Sequence, residues 1–245
     1  NLEQGEQIKS ILPLSNDPEV KHLIMATKFG VIKKTALKEF ENLRSSGLIA
    51  IRLHPQDALV SVHPTKGEDH IIMLTWEGKS IRFPEQNVRP MGRATSGVAG
   101  IRLDKNDEVI GMEVFPGKEK IIADKRRKVF RDILTIAEKG LGKRTPIHLF
   151  PIQKRAGKGV KAAVVTSKTG NLATAVMVTE EFDQVVMTSK NGQVIKLPIK
   201  NIPQLGRATQ GVILMRFNDK TDTVAAATCL KKDGEEEASE PQVQQ

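Results

Sequence analysis

Basic side chains recur at fixed intervals from glycines in this chain. Lys34, Arg82, Arg144 and Lys196 each stand four residues after Gly30, Gly78, Gly140 and Gly192. Arg93, Arg155 and Arg207 each stand four before a second glycine, at 97, 159 and 211, and Arg44 stands three before Gly47. Lys33 and Lys143 sit beside the first set, and Gln153, Lys154, Arg155, Gly157, Lys158, Gly159 and Lys161 form a basic, glycine-bearing cluster. Evenly spaced ammonium and guanidinium groups suit a ligand that is itself a regular array of negative charge, such as a phosphate backbone. Each phosphate neutralised releases counterions, so such binding weakens steeply with salt. These contacts fix the register of a duplex but carry no base information. The plainer reading of any single base is a solvated edge-strand residue that discourages sheet aggregation.

Other chemistries are poorly supplied. The chain has no Tyr, which excludes a phenol nucleophile, and its five His show no HExxH spacing. Gly142-Lys143-Arg144-Thr145 has Ala137 where a phosphate-binding loop needs its first glycine, so no nucleotide or other cofactor is expected in this chain. A single Cys, Cys229, allows neither an internal disulfide nor a CxxC metal site and fits a cytoplasmic setting. No apolar run approaches the ~20 residues of a membrane helix. Aromatic residues make up 4% of the chain, too few for a base-stacking platform, which favours a double-stranded over a single-stranded partner.

The elements that carry these bases repeat as well. Apolar segments of β-type ending in a glycine turn begin near His22, His70, Ile133 and Gln184. Each is followed by a base, the second glycine, another apolar segment, a polar turn and a closing strand. Units of about 40–50 residues with four short strands read as blades of an all-β, propeller-like ring whose neighbours must stack to bury their apolar faces. On this reading the bases lie at turns and strand ends and form a positive rim. Lys118–Asp132 is an insertion and the best helical candidate. Residues 2–11 align with 103–112, so the chain is expected to start within a unit, with four full units and part of a fifth. The net charge is +9, yet residues 233–245 hold five acidic and no basic residues, leaving +14 on residues 1–232. A basic body (1–232) with a disordered acidic tail (233–245) suggests a polyanionic partner with which the tail could compete.

The segments Gly92-Arg93-Ala94-Thr95-Ser96-Gly97, Gly206-Arg207-Ala208-Thr209-Gln210-Gly211 and Gln153-Lys154-Arg155-Ala156-Gly157-Lys158-Gly159 resemble the C-terminal domain of the DNA gyrase A family. The resemblance extends over nearly all of residues 1–230. It implies a β-pinwheel, a propeller variant whose blades exchange strands, with duplex DNA wrapped around a basic perimeter. It implies a non-catalytic part of a type IIA topoisomerase, with the rest of the gyrase A polypeptide and the gyrase B polypeptide as partners. ATP and Mg would act elsewhere in that holoenzyme, in ATP-driven negative supercoiling. The family's seven-residue box, QRRGGKG, is matched at five positions by Gln153 to Gly159, with Lys154 and Ala156 as departures. The match lies in the third full unit, where it looks like a later, degenerate copy. Residues expected to meet DNA are Lys33, Lys34, Arg44, Arg82, Arg93, Lys143, Arg144, Gln153, Lys154, Arg155, Gly157, Lys158, Gly159, Lys161, Lys196 and Arg207. The corresponding polypeptide of topoisomerase IV and a propeller that binds acidic protein partners are the alternatives.

Overall fold

The computed structural model describes residues 8, 11–12, 17–42, 47–117, 130–219 and 221–232. Arg44, the acidic tail, residues 118–129 of the insertion and most of the opening segment lie outside them. The described part of the insertion is not helical, since Arg131 and Asp132 open a strand. Among the described residues each of the four units is β-structure with a single 3-10 turn directly after its second strand.

In each unit a hairpin forms first. Unit one pairs β1 (His22–Thr27) with β2 (Val31–Ala36), and its later strand is β3 (Leu59–Thr65). Unit two has β4 (Asp69–Thr75), β5 (Lys79–Pro84), the two-residue β6 (Val98–Ala99) and β7 (Val109–Pro116). Unit three has β8 (Arg131–Ala137), β9 (Leu141–Pro146), β10 (Val160–Lys161) and β11 (Leu172–Thr179). Unit four has β12 (Phe182–Ser189), β13 (Val194–Pro198), β14 (Val212–Ile213) and β15 (Val224–Lys231). The hairpins turn where the first repeated glycine adopts positive φ, from 78° to 86°, a conformation that costs an L-residue its Cβ clearance. Ala36, Pro84, Pro146 and Pro198 then end the second strand and lead into the 3-10 turn.

The two-residue strands do not join their own sheets. Strand orders are β3-β1-β2-β6, β7-β4-β5-β10, β11-β8-β9-β14 and β15-β12-β13, so β6, β10 and β14 each complete the preceding unit's sheet. This is the strand exchange of a pinwheel. It covers an otherwise open edge and ties each unit to the one before it. The fourth sheet has three strands, and β13 is its edge, with Val194 60% exposed.

Apolar layers fill the spaces between sheets. Ile71 and Met73 of β4 pack toward unit one with Ile24, Ile32 and Ile101, while Ile72 and Leu74 pack the other way with Ile133, Ile147 and Phe150. A third layer joins Leu134, Ile136, Val185, Met187 and Ile202 of units three and four. Two-sided burial makes β4 buried at all seven positions. Strands β3, β7, β11 and β15 pack against one another in succession, so the exchanged strands at the far sheet edges lie on the outer side.

Candidate nucleic-acid interface

The bases four residues after the first glycine lie within β2, β5, β9 and β13, not at turns or strand ends. This corrects their expected placement, and the first three are not on the surface. Lys34 and Arg82 are buried, and the Arg144 side chain is 14% exposed. Each staples its unit to the 3-10 turn of the next. Lys34 Nζ donates to the Glu85 carbonyl at 3.1 Å. Arg82 Nη1 donates to the carbonyls of Ile147 (2.9 Å) and Phe150 (3.3 Å), its Nε to His70 Nδ1 (3.2 Å), and its guanidinium lies 5.0 Å over the Phe115 ring. Arg144 Nε donates to the Ile202 carbonyl at 2.9 Å and its Nη1 pairs with the buried Asp132 at 3.0 Å. A carbonyl has two lone pairs: those of Glu85 and Ile147 each take one N–H within the turn, from Val88 and Phe150, and the charged donor from the neighbouring strand supplies a second bond. Lys196 lies in β13, the edge strand of its sheet among the described residues, and is exposed.

Lys33 and Lys143 are buried too, at 0% and 1% exposure. Lys33 Nζ donates to the carbonyls of Ala50, at 2.6 Å, and Arg93. Lys143 Nζ donates to those of Gly206, at 2.6 Å, and Arg207. Burial pushes both ammonium groups down to about 8, so both remain charged at neutral pH. Of the expected DNA contacts, Lys33, Lys34, Arg82, Lys143 and Arg144 are therefore internal: they donate to main-chain oxygens, with His70 and Asp132 as further partners of Arg82 and Arg144, and neighbouring sheets cover them.

The second set of bases does reach the outer side. Arg93 Nη1 donates to Ile49 O at 3.1 Å, Arg155 Nη1 to Ala99 O at 3.0 Å and Arg207 Nη1 to Lys161 O at 2.7 Å. Ile49, Ala99 and Lys161 are equivalent residues, each two after the second glycine of the preceding unit. Arg155 also donates through Nε to Asn87 O at 2.9 Å. All three arginines are half-exposed, so one edge of each fork is fastened while a guanidinium has five N–H groups to offer. The turn that presents Arg93 and Arg207 is closed by its threonine: Thr95 Oγ1 donates to Gly92 O at 2.9 Å and Thr209 Oγ1 to Gly206 O at 2.8 Å. The second glycines of units two, three and four, at 97, 159 and 211, have positive φ, and a Cβ there would strike the carbonyl oxygen of Ile32, Ser80 or Gly142 in the preceding unit's second strand.

In the 153–159 cluster, Lys154 and Lys158 are exposed, as is Lys161 in β10. Lys158 stands 3.5 Å from Asp104. Gln153 is held by its main chain, whose N–H donates to Arg82 O at 2.7 Å. Gly159 serves the close approach just described. Gly157 has no positive φ, and a Cβ on it would make only ordinary contacts. Ala156, by contrast, sits at φ 63°, in the left-handed region, at a position where the family box has glycine. An L-residue there carries roughly 1–2 kcal/mol of strain, partly balanced by the greater chain entropy of glycine. Ala156→Gly is expected to raise the unfolding free energy by up to about 1 kcal/mol, read as an upward shift of the thermal midpoint; a lower midpoint would contradict it.

One set of rim bases escaped the sequence reading. Arg52, Arg102 and Arg216 each lie five residues after a second glycine, and all are exposed. The N–H of Arg52 donates to Thr95 O at 3.0 Å and that of Arg102 to Gly157 O at 2.8 Å, which sets these side chains beside the arginine-bearing loops of the next unit. Val164 takes the same place in unit three, bonded to Thr209 O at 3.1 Å. The constant spacing of five was the signal in the sequence.

Comparison with known proteins agrees with this geometry. A family model described as "DNA gyrase C-terminal domain, beta-propeller" matches residues 21–66, 69–116, 131–179 and 183–231, one match per unit. The DNA gyrase A polypeptide of Staphylococcus aureus (strain NCTC 8325 / PS 47) is 36% identical over 240 residues, which cover 98% of this chain and 26% of that protein. The chain thus spans about a quarter of the length of the curated relatives it matches. A DNA gyrase A C-terminal domain structure superposes with TM-score 0.78 at 21% identity, covering 94% of this chain and 72% of that one. The C-terminal domain of DNA topoisomerase IV superposes with TM-score 0.81 at 20% identity, covering 94% and 68%. At such identities the two structures speak to the fold alone, whereas the repeat-by-repeat family match and the sequence relative both point to gyrase. The chain belongs to the DNA gyrase C-terminal domain family.

Proposed function

We propose that this domain binds duplex DNA along its outer side and bends it around successive units, as the non-catalytic wrapping part of a DNA gyrase. The complete enzyme, with the rest of the gyrase A polypeptide and the gyrase B polypeptide, would use ATP and Mg elsewhere to introduce negative supercoils in the cytoplasm. The observation that carries this reading is the regular outer series of bases. Arg93, Arg155 and Arg207 are fastened to equivalent carbonyls, with Arg52, Arg102, Lys154, Lys158, Lys161 and Arg216 exposed along the same loops and strands. Lys196, exposed on β13, belongs to the proposed contacts as well. Each such base neutralises a phosphate, and several together offset the order of 1–6 kcal/mol needed to bend 20–30 bp smoothly by 40–90°.

Replacing Arg102, Lys154 and Lys158 together by Ala is expected to weaken duplex binding regardless of sequence and to reduce the slope of log K against log salt by about 3, at roughly 0.9 per phosphate. Binding isotherms at four or five salt concentrations measure this. An unchanged slope with intact fold would remove the rim from consideration. Relaxing plasmid DNA in the presence of the domain adds the test of wrapping: a shift in linking number is expected, and its absence would reduce the proposal to binding without bending.

A further inference from the structure

Two buried lysines hold the loops that carry rim arginines. We propose that Lys33 and Lys143 are positioning residues for the interface, each clamping the Gly-Arg-Ala-Thr turn of the next unit by its main-chain carbonyls and so fixing the outward aim of Arg93 and Arg207. This rests on the reading that the rim binds duplex DNA.

The two lysines are equivalent, each three residues after the first glycine of its unit. Lys33 bonds the carbonyl of Arg93 itself and that of Ala50, whose neighbour Ile49 takes the Arg93 guanidinium. Lys143 bonds the carbonyls of Gly206 and Arg207, while the Arg207 guanidinium is anchored on Lys161 O. Arg93 and Arg207 are thus each held at both ends: main chain by an ammonium from inside, fork by a carbonyl on the outside. The other two units have Ile81 and Ile195 at this position. The turn that follows Ile81 is Lys154-Arg155-Ala156-Gly157, not Gly-Arg-Ala-Thr, and a Cβ on Gly157 would lie 3.5 Å from the Ile81 side chain. Clamp and turn type therefore go together: lysine under both Gly-Arg-Ala-Thr turns, isoleucine under the other.

The chemistry explains the pairing. Carbonyls that converge on one point need a donor there, and an ammonium with three N–H groups serves two from one strand position: both from the turn at Lys143, one from the turn and one from Ala50 at Lys33. Burying that charge is costly, so a lysine with no task beyond filling the strand would be replaced by an apolar residue, as at 81 and 195. The nearby charges do not favour the ammonium for its own sake. Burial is the largest influence lowering both, Arg93 and Arg207 oppose the charge of Lys33 and Lys143 respectively, and Glu39 alone supports Lys33.

The test uses the 245-residue chain and a plain duplex of 40 bp or so, titrated across salt. Lys33→Met with Lys143→Met keeps the apolar stem and removes the donors; Arg93→Ala with Arg207→Ala removes the proposed phosphate ligands. If the clamp acts through these arginines, both pairs flatten the salt dependence alike: the fall in affinity between 50 and 200 mM salt becomes about tenfold smaller, the worth of two phosphates. Combining all four changes then adds nothing. If the arginine pair flattens the slope and the lysine pair leaves it intact, the clamp is wrong and the interface stands. If the lysine pair flattens it further in the arginine-free background, the lysines touch DNA themselves and positioning is wrong. If the arginine pair changes nothing, the interface reading fails first. Should the Met pair not fold, Lys33→Gln and Lys143→Gln, which keep a shorter donor, are titrated separately. Each is expected to lose up to one phosphate's worth of slope, and full slope in both overturns the proposal.

Discussion

Arg82→Ala is expected to destabilise the domain by about 3–5 kcal/mol while leaving the salt dependence of DNA binding by the folded protein unchanged. The guanidinium lies between units two and three. Its loss would leave the Phe150 carbonyl without this donor, reduce the Ile147 carbonyl to the Phe150 N–H it already accepts at 3.1 Å, and take the donor from His70 Nδ1. A buried acceptor that loses its donor costs about 1–3 kcal/mol, and two are involved. The cavity against Phe115 adds to the loss. Urea unfolding at pH 7 measures the stability, and duplex titrations below the transition measure the slope. The control is Arg93→Ala, where one half-exposed hydrogen bond is lost: about 1 kcal/mol or less in stability, but a shallower salt slope. The reverse pattern, a stable Arg82→Ala protein with one phosphate contact fewer, would return Arg82 to the DNA ligands.

That contrast also shows how far the sequence could be read. The repeats, the hairpins and the turn glycines were legible because apolar runs and glycines recur in phase, and each first glycine does take a left-handed turn. The arginines four before the second glycine, expected at turns, are half-exposed on the loops between strands. The bases four after the first glycine, also expected at turns or strand ends, lie within strands. A strand with solvent on one face announces its outward residues by alternation, but β4 and β5 are covered on both faces, so Ser80, Ile81 and Arg82 are all buried and no periodicity separates them. Regular spacing of a base was equally what stitching one unit to the next would produce. Arg82 finds its partners 65 and 68 residues away, and no local pattern encodes that separation. The same distance hid the lysine clamps: Lys33 meets Arg93 across 60 residues and Lys143 meets Arg207 across 64.

A second buried charge is expected to make stability fall as pH rises. Glu113 in β7 stands opposite Ile72 of β4, and the main-chain N–H of Met177 in β11 donates to its carboxylate. Burial between these strands pushes its pKa up to about 7, and the one hydrogen bond only partly offsets that. Below about pH 4.5 the group is protonated whether the chain is folded or not, and it contributes no difference. Between 4.5 and 7 the unfolded chain releases its proton while the folded one keeps it, so folding becomes progressively less favourable; above 7 the loss is complete. The size is about 3 kcal/mol at most, given that Glu113 as a residue is partly exposed. Glu113→Gln keeps an acceptor for Met177 and removes the titration. Between pH 5 and pH 8 the unfolding free energy should therefore fall by up to about 2 kcal/mol more in the native chain than in the variant. Cys229 serves as a second readout, because its thiol is pushed up to about 11, by burial first and by the Glu113 charge second. Neutralising Glu113 should lower that value and speed the thiol's alkylation at pH 9. Equal pH dependence in the two proteins, with unaltered thiol reactivity, would mean that water reaches the Glu113 carboxylate between β7 and β11 and that these inner strands do not seal the space between units two and three.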